Sequence, residues 1–549
     1  MNAGGGAFLG RVGFRSLTFG TRREATMTVD ASTILIVGGQ VYDHAGDTDR
    51  PEVADVLIVG DRIAAVERGL AARLAGADGR LSVNGRPIDT VVDAADRLVV
   101  PGFTNAHYHS HDVLLKGCFE TIPRETWLLN ALPPNYPRRS RAEIRARTLL
   151  GAVECLRSGI TTVQDMLTLA PVDPDDVATV LDAYDEVGIR CVFALQTGDV
   201  HGARVTPFWE EVFPKDAIPG LSGVVSAEAD AEAIVAQLES ILQQYKGRHR
   251  AITWGLGPSS PERSSPVFLE RLGALAARAG VPIFTHVYES RATTLIARQK
   301  FARWNGSLIA YLRAHGVLGP SVTLAHGVWM RPDEVKMIAE AGANVVLNPV
   351  GNLKTRSGVA PIRDYLEAGV NVGLGCDNCS CSDAQNMFQV MKAFASLPAV
   401  SNVDPGMPTA AQAVKAATLG GAQAVGLAGE VGEIKVGAKA DLVLLDLTDP
   451  SFVPLNSAAR QLVFTESGRS VETVIVDGRV VVDRGRLVTV DMAALRRDVE
   501  DAMAALREDI AGVVRKTEAL APYLAEAHRR TWAEPLEVYR YVPQGTGKW

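Results

Sequence analysis

The stretch Val99-Val-Pro-Gly-Phe-Thr-Asn-Ala-His107-Tyr-His109-Ser-His111-Asp112 is an apolar run that ends in histidines two residues apart. Alternate side chains of a strand share a face, so His107 and His109 point the same way, about 6–7 Å apart at Cα. Two imidazoles so placed can converge on one metal ion. Three later segments end in groups of the same kind: Pro-Ile-Phe-Thr-His286-Val-Tyr-Glu289, Val-Thr-Leu-Ala-His326-Gly and Gly-Leu-Gly-Cys-Asp377-Asn. Burying His107, His109, His286, His326 and Asp377 together would cost several kcal/mol without a metal or mutual hydrogen bonds to compensate. Imidazole nitrogen and carboxylate oxygen suit a borderline cation such as Zn2+, at about 2.0–2.2 Å, with one position open for water. Such an ion lowers the pKa of its water from about 15.7 toward 7, which is hydrolytic chemistry.

The elements that must position these groups are short apolar strand candidates alternating with helical patterns. They are Leu98–Ala106, Gly159–Gln164, Gly188–Gln196, Ala251–Gly257, Val281–Thr285, Ser321–Ala325, Ala343–Asn348 and Asn371–Gly375. Arg141–Arg157, Pro266–Ala279 and Pro332–Ala341 between them carry apolar residues at helical spacing. Strand then helix, repeated in this way, predicts an α/β fold, a (β/α)8 TIM barrel over residues 99–427, whose active site lies at the C-terminal strand ends. Short β segments flank it, at Thr33–Gly38, Val53–Val59, Arg62–Val66 and Thr90–Asp93 on one side and Asp441–Asp446, Thr473–Asp477 and Arg479–Asp483 on the other. They predict one small discontinuous β-sandwich domain built from residues 33–98 and 428–490. Residues 491–549 are a C-terminal helical tail, amphipathic over Asp491–Arg530, and residues 1–26 read as a disordered extension or an upstream start ahead of Met27.

Composition narrows the function classes. The chain has 549 residues, 47% hydrophobic and 22% charged, with a formal net charge of −7. Lys and Arg are dispersed, so no basic field for nucleic acid is expected. The lack of a long apolar run and of a secretory h-region predicts neither membrane insertion nor export, hence a cytoplasmic protein with a small-molecule substrate. The six cysteines are too sparse for a disulfide framework. Cys376-Asp-Asn-Cys379-Ser-Cys381 is read as packing rather than as a thiolate site, because Cys376 should face away from Asp377.

Taken together, the sequence resembles the amidohydrolase superfamily, in the mononuclear-metal branch that contains cytosine and guanine aminohydrolases and chlorotriazine hydrolases. The landmarks are Pro101-Gly-Phe-Thr-Asn-Ala-His-Tyr-His109, Gly159-Ile-Thr-Thr-Val163, His286-Val-Tyr-Glu289, Asn348-Pro-Val-Gly-Asn-Leu-Lys-Thr-Arg-Ser-Gly358 and Gly375-Cys-Asp377. Ala417-Thr-Leu-Gly-Gly-Ala-Gln-Ala424 and Gly432-Glu-Ile-Lys-Val-Gly-Ala-Lys-Ala-Asp441-Leu442-Val443 extend it. The resemblance implies that His107, His109, His286 and Asp377 bind one divalent metal, zinc first and Fe2+ second, that Glu289, His326 and Asp377 are catalytic, and that the protein is a homodimer. The fourth strand offers no lysine to bridge a second ion.

Asp377 would then take the water proton, His326 would orient the water, and Glu289 would protonate a ring nitrogen or leaving group, or else hydrogen-bond a ligand histidine. His111 is read as facing the substrate or ordering the loop, with a ligand role the alternative. Trp127, in the Leu114–Leu129 stretch with Arg124 and Glu125, offers an aromatic face for a planar substrate or a packing contact. Asn352 contacts substrate or structures its loop, and Pro258-Ser-Ser-Pro-Glu262-Arg263 is a further recognition loop. The expected activity is release of ammonia or an amine from a heterocyclic or amidine-like substrate. The alternative is hydrolysis of a C–Cl bond, thiocarbamate or arylurea on the same site; a third reading is a catalytically silent metal-binding scaffold.

Overall fold

The computed structural model describes residues 31–200, 206–214, 229–401 and 406–541. The 1–26 extension lies outside the described residues. The flanking β segments meet in one nine-stranded mixed sheet, in the order Arg486–Leu487, Arg479–Asp483, Val471–Val476, Leu442–Asp446, Arg97–Pro101, Thr33–Val41, Glu52–Val59 and Arg62–Glu67, with Thr90–Asp93 pairing Thr33–Val41. Its two halves join where Leu442–Asp446 runs antiparallel to Arg97–Pro101. Gly39, at a register shift in Thr33–Val41, lets Val99 approach: a Cβ there would lie 2.5 Å from the Val99 methyl.

Every strand candidate of the middle segment contains strand residues, paired in parallel with one another except for Leu98–Pro101, which pairs antiparallel with Leu442–Asp446. One set runs Ile252–Trp254, Arg190–Thr197, Ile160–Leu167, Phe103–His109 and Asp377–Asn378, with Gly257–Pro258 also on Arg190–Thr197. The other runs Ile283–Val287, Val322–His326, Asn344–Leu347 and Asn371–Leu374. The sets adjoin twice, through a Leu256–Ile283 bridge and through the chain from Asn371–Leu374 into Asp377–Asn378. Intervening helices start at capped positions, such as Asp173 before Pro174 and Ser265 before Pro266, and stop at left-handed Gly188 and Gly280.

Two predicted strands differ in detail. Leu98–Ala106 is two strands: Arg97–Pro101 belongs to the mixed sheet and Phe103–His109 to the parallel set. Pro101 cannot donate to a ladder, and a Cβ at Gly102 would fall 2.1 Å from the Thr161 hydroxyl, so the chain crosses between sheets there. Ala251–Gly257 is likewise divided at Gly255, where a Cβ would meet the Phe284 ring at 2.3 Å. The tail is helical from Met492 to Ala533 and then extends back over the molecule, where Val359 N–H donates to the Arg540 carbonyl at 2.7 Å. Arg291 anchors this return with its guanidinium 5.4 Å from the Trp329 ring and 4.9 Å from the Trp532 ring.

Candidate metal centre

The end of the Phe103–His109 strand sets His107 and His109 on one face with their Nε2 atoms 3.2 Å apart. His286, from Ile283–Val287, brings its Nε2 to 3.3 Å from that of His109. Asp377 Oδ1 lies 3.4 Å from His107 Nε2 and 3.5 Å from His109 Nε2. His326, from Val322–His326, faces the group, with Nδ1 4.0 Å from Asp377 Oδ2 and Nε2 3.8 Å from Glu289 Oε2. The backbone is left-handed at both His326 (φ 73°) and Asp377 (φ 64°). For non-glycine residues this costs about 1–3 kcal/mol each, and here it turns both strand-end side chains toward the histidines.

Hydrogen bonds fix the imidazole tautomers. His109 Nδ1 is 2.6 Å from the Met166 carbonyl and His286 Nδ1 is 2.6 Å from that of Ser259. A carbonyl only accepts, so each Nδ1 carries the proton and each Nε2 presents a lone pair. Two lone pairs at this separation repel unless a cation lies between them. Burial pushes His107 below the ordinary histidine range, His109 down to about 3 and His286 well down, so none supplies that cation by protonation at neutral pH. Burial works the other way on Asp377, but its bond to His107 and the neighbouring imidazoles hold its carboxyl well below the usual range. A tetrahedral shell at about 2.0–2.1 Å spaces its ligand atoms about 3.3 Å apart, so these donors fit a divalent ion.

His326 is held from behind, its Nδ1 donating to Asn352 Oδ1 at 2.9 Å with Asn348 Nδ2 3.2 Å away, while its Nε2 is buried with no hydrogen-bond partner among the described residues. Asn352 therefore sits behind His326, and is absent from the described residues that line the cavity. Glu289 is 6% exposed and forms an ion pair through Oε2 with Arg124 Nε. His111 lines the cavity but stands apart from the converging donors; Thr168 N–H donates to its Nδ1 at 3.3 Å, and its Nε2 lies 3.3 Å from Asn378 Nδ2. Trp127 lines the cavity, while its Nε1 donates to Ser380 Oγ at 2.8 Å and its ring packs near Leu506 of the tail helix. Cys376 and Cys379 lie in the apolar core, and burial pushes both thiols well up, away from thiolate character.

These groups open into one cavity of about 460 Å3, whose wall also includes Gln196, Ser259 and Leu524. The carbonyls of Met166 and Ser259 escape sequence reasoning because any residue type supplies a carbonyl. Arg124 stands in the right stretch, yet nothing in its spacing ties it to Glu289, 165 positions away.

A model of the amidohydrolase family matches residues 98–481, and the chain belongs to that family. Among its relatives, the 5'-deoxyadenosine deaminase of Methanothermobacter thermautotrophicus is 32% identical over 483 residues, covering 87% of this chain and 100% of its own. The 5-methylthioadenosine/S-adenosylhomocysteine deaminase of Moorella thermoacetica is 31% identical over 415 residues, 76% of this chain and 89% of its own. The crystal structure of an adenosine deaminase from Xanthomonas campestris with bound zinc superposes with a TM-score of 0.74 at 25% identity, over 87% of this chain and 99% of that one.

Proposed function

We propose that the protein is a metal-dependent aminohydrolase in which water attacks a trigonal carbon of an amino-substituted heterocycle, free or as its nucleoside, and ammonia leaves. The observation that carries this reading is the convergence of three imidazole Nε2 atoms and Asp377 Oδ1, with the lone pairs of His109 and His286 turned into the gap by the Met166 and Ser259 carbonyls. His107, His109, His286 and Asp377 would hold one divalent ion, zinc by its nitrogen and oxygen donor set and by the zinc in the related structure. Bound there, the ion supplies a water acidic enough to ionise near neutral pH.

The chain's own groups then divide the proton transfers. Asp377 uses Oδ1 toward the histidines and keeps Oδ2, on the His326 side, to accept the water proton. His326, fixed by Asn352, directs its free Nε2 at the reacting centre and orients the attacking water there. Arg124 holds Glu289 by Oε2, leaving Oε1 to pass one proton of the water to a ring nitrogen, while the second, taken by Asp377, goes to the leaving amine, which departs as ammonia. His111 and Trp127 would form the wall against the planar ring, with Asn352 acting through His326.

The parallel strands, adjoining at both ends of their two sets, support the (β/α)8 barrel over residues 99–427. The mixed sheet supports a small domain joined from 33–98 and 428–490, with 491–549 as a tail whose Leu524 lines the cavity. A homodimer rests on the family resemblance and a cytoplasmic setting on the sparse cysteines; among the described residues no helix is long and apolar enough to cross a membrane. The decisive experiment is an ammonia-release screen over purines, pyrimidines, triazines, pterins and their nucleosides with zinc-restored protein. We expect turnover that chelation removes and Asp377→Ala abolishes; a metal-loaded protein inert to the whole panel would sink the reading.

A further inference from the structure

One group in the cavity is left unused by this mechanism. Arg263, in the loop after the Gly257–Pro258 strand, lines the same cavity as the metal centre, and its Nε is buried with no hydrogen-bond partner among the described residues. Its guanidinium makes one long contact, from Nη1 to Ser259 Oγ at 3.4 Å. The side chain is only partly enclosed, but with so few acceptors around it the guanidinium has N–H donors to offer a ligand in the cavity. Glu262, the adjacent buried residue, offsets its charge but takes no hydrogen bond from it: its Oε2 has no hydrogen-bond partner among the described residues, and it is absent from the described lining of the cavity.

Ser259 shows where such a ligand would lie. Its carbonyl accepts from His286 Nδ1 at 2.6 Å, while its hydroxyl receives both Arg263 and, at 3.1 Å, Gln196 Nε2. Gln196 is engaged at its other end too, its Oε1 accepting from Thr168 Oγ1 at 3.2 Å. Arg263 and the metal-centre histidine His286 thus share one serine and line one cavity, which puts the guanidinium on a wall that a bound ring can meet. The five N–H donors of a guanidinium match oxygen acceptors carrying full or partial negative charge.

We propose that Arg263 is a specificity-determining residue that binds an oxygen on the heterocycle, a ring oxo group or a ring carboxylate, so that the preferred substrate is an oxygen-substituted aminoheterocycle. This rests on the aminohydrolase reading and narrows it, since an unsubstituted aminopurine ring presents only nitrogen to this wall.

The test compares matched heterocycles that differ only in the oxygen: an oxo-bearing ring, a carboxylate-bearing ring and the parent that lacks both. The wild type should favour an oxygen-bearing member, and Arg263→Gln should reduce that preference, read as a ratio of kcat/KM values, about 10- to 100-fold, with Arg263→Lys losing less. Which oxygen-bearing member loses more identifies the acceptor. Equal losses on all members, or a wild-type preference for the parent, would overturn the inference. Calorimetric binding of the non-reactive hydroxylated products to zinc-loaded wild type and Arg263→Gln reads the same contact without turnover. A panel that releases no ammonia while Arg263→Gln still weakens product binding would therefore count against the reaction and for Arg263; unchanged binding would count against Arg263.

Discussion

The carboxylate of Glu289 has Arg124 on one side and His326 on the other, and both face its Oε2. We expect Glu289→Gln, nearly isosteric, to lower turnover by about 10^2- to 10^4-fold while metal content stays that of the wild type. Near-normal turnover would reduce Glu289 to a partner for Arg124. A second expectation concerns the histidines in chelated protein. Burial, with the His107 charge second, pushes His109 down to about 3, so the unfolded chain takes up a proton near pH 6.5 that the folded chain refuses. Stability contributed at this site is thus present above about pH 6.5 and lost as the pH falls toward 3, by up to about 1.4 kcal/mol per pH unit for each such histidine. Asp112 and Asp165, pushed up to about 6 by burial, work in the opposite direction, favouring the folded state as pH falls from about 6 to 4. Denaturant midpoints of the chelated protein should therefore fall between pH 7.5 and 6 and go on falling below it, less steeply than the histidines alone would give; a midpoint that rises across the first interval would contradict the neutral-imidazole description.

At the scale of elements, the site depends on how closely the last parallel strand approaches the first. A Cβ at Gly375 would lie 2.3 Å from Asn348 Oδ1, 2.8 Å from His107 Cβ and 2.9 Å from the His107 carbonyl. Gly375→Ala should shift the His107 end of the Phe103–His109 strand and cost metal affinity at least tenfold, measured by competition with a chelator. Retained affinity would show that the strands can separate without moving the donors. The converging histidines were legible in the sequence because strand alternation and strand-end placement are properties of spacing. The break at Pro101–Gly102 was not: it is set by Thr161 and by the sheet that Asp441 anchors, whose carbonyl accepts from Gly102 N–H at 2.9 Å. Trp127 and Asn352 were legible as site neighbours but not in orientation, which depends on Ser380 and His326 from remote segments.

Across the whole molecule, the parallel strands and the mixed sheet are locked by one buried ion network. Arg190, in a parallel strand, reaches Asp441 with Nε at 2.7 Å and Nη2 at 2.9 Å, and Asp477 with Nη2 at 3.1 Å. The three side chains are 5%, 1% and 0% exposed. Arg190→Met leaves Asp441 without its cation and should destabilise the protein by about 3–5 kcal/mol in denaturant unfolding, with kcat little changed in the folded fraction. A loss under 1 kcal/mol would mean that Lys439 and Arg250, which also reach Asp477, carry the joint alone.

The pairing of Leu442–Asp446 with Arg97–Pro101 also orders events in time. Synthesis delivers Thr33–Val41 and Arg97–Pro101 first, and the strand that flanks them only after the entire catalytic segment has left the ribosome. Closing so long a loop adds little entropy cost, because that cost rises only logarithmically with length, but the wait leaves one side of Arg97–Pro101 as an unpaired edge able to recruit other chains. A nascent chain can hold His107 through Asp377 complete and still be at its most aggregation-prone, so the last strands of the small sheet act as the protein's own closing step against misassembly.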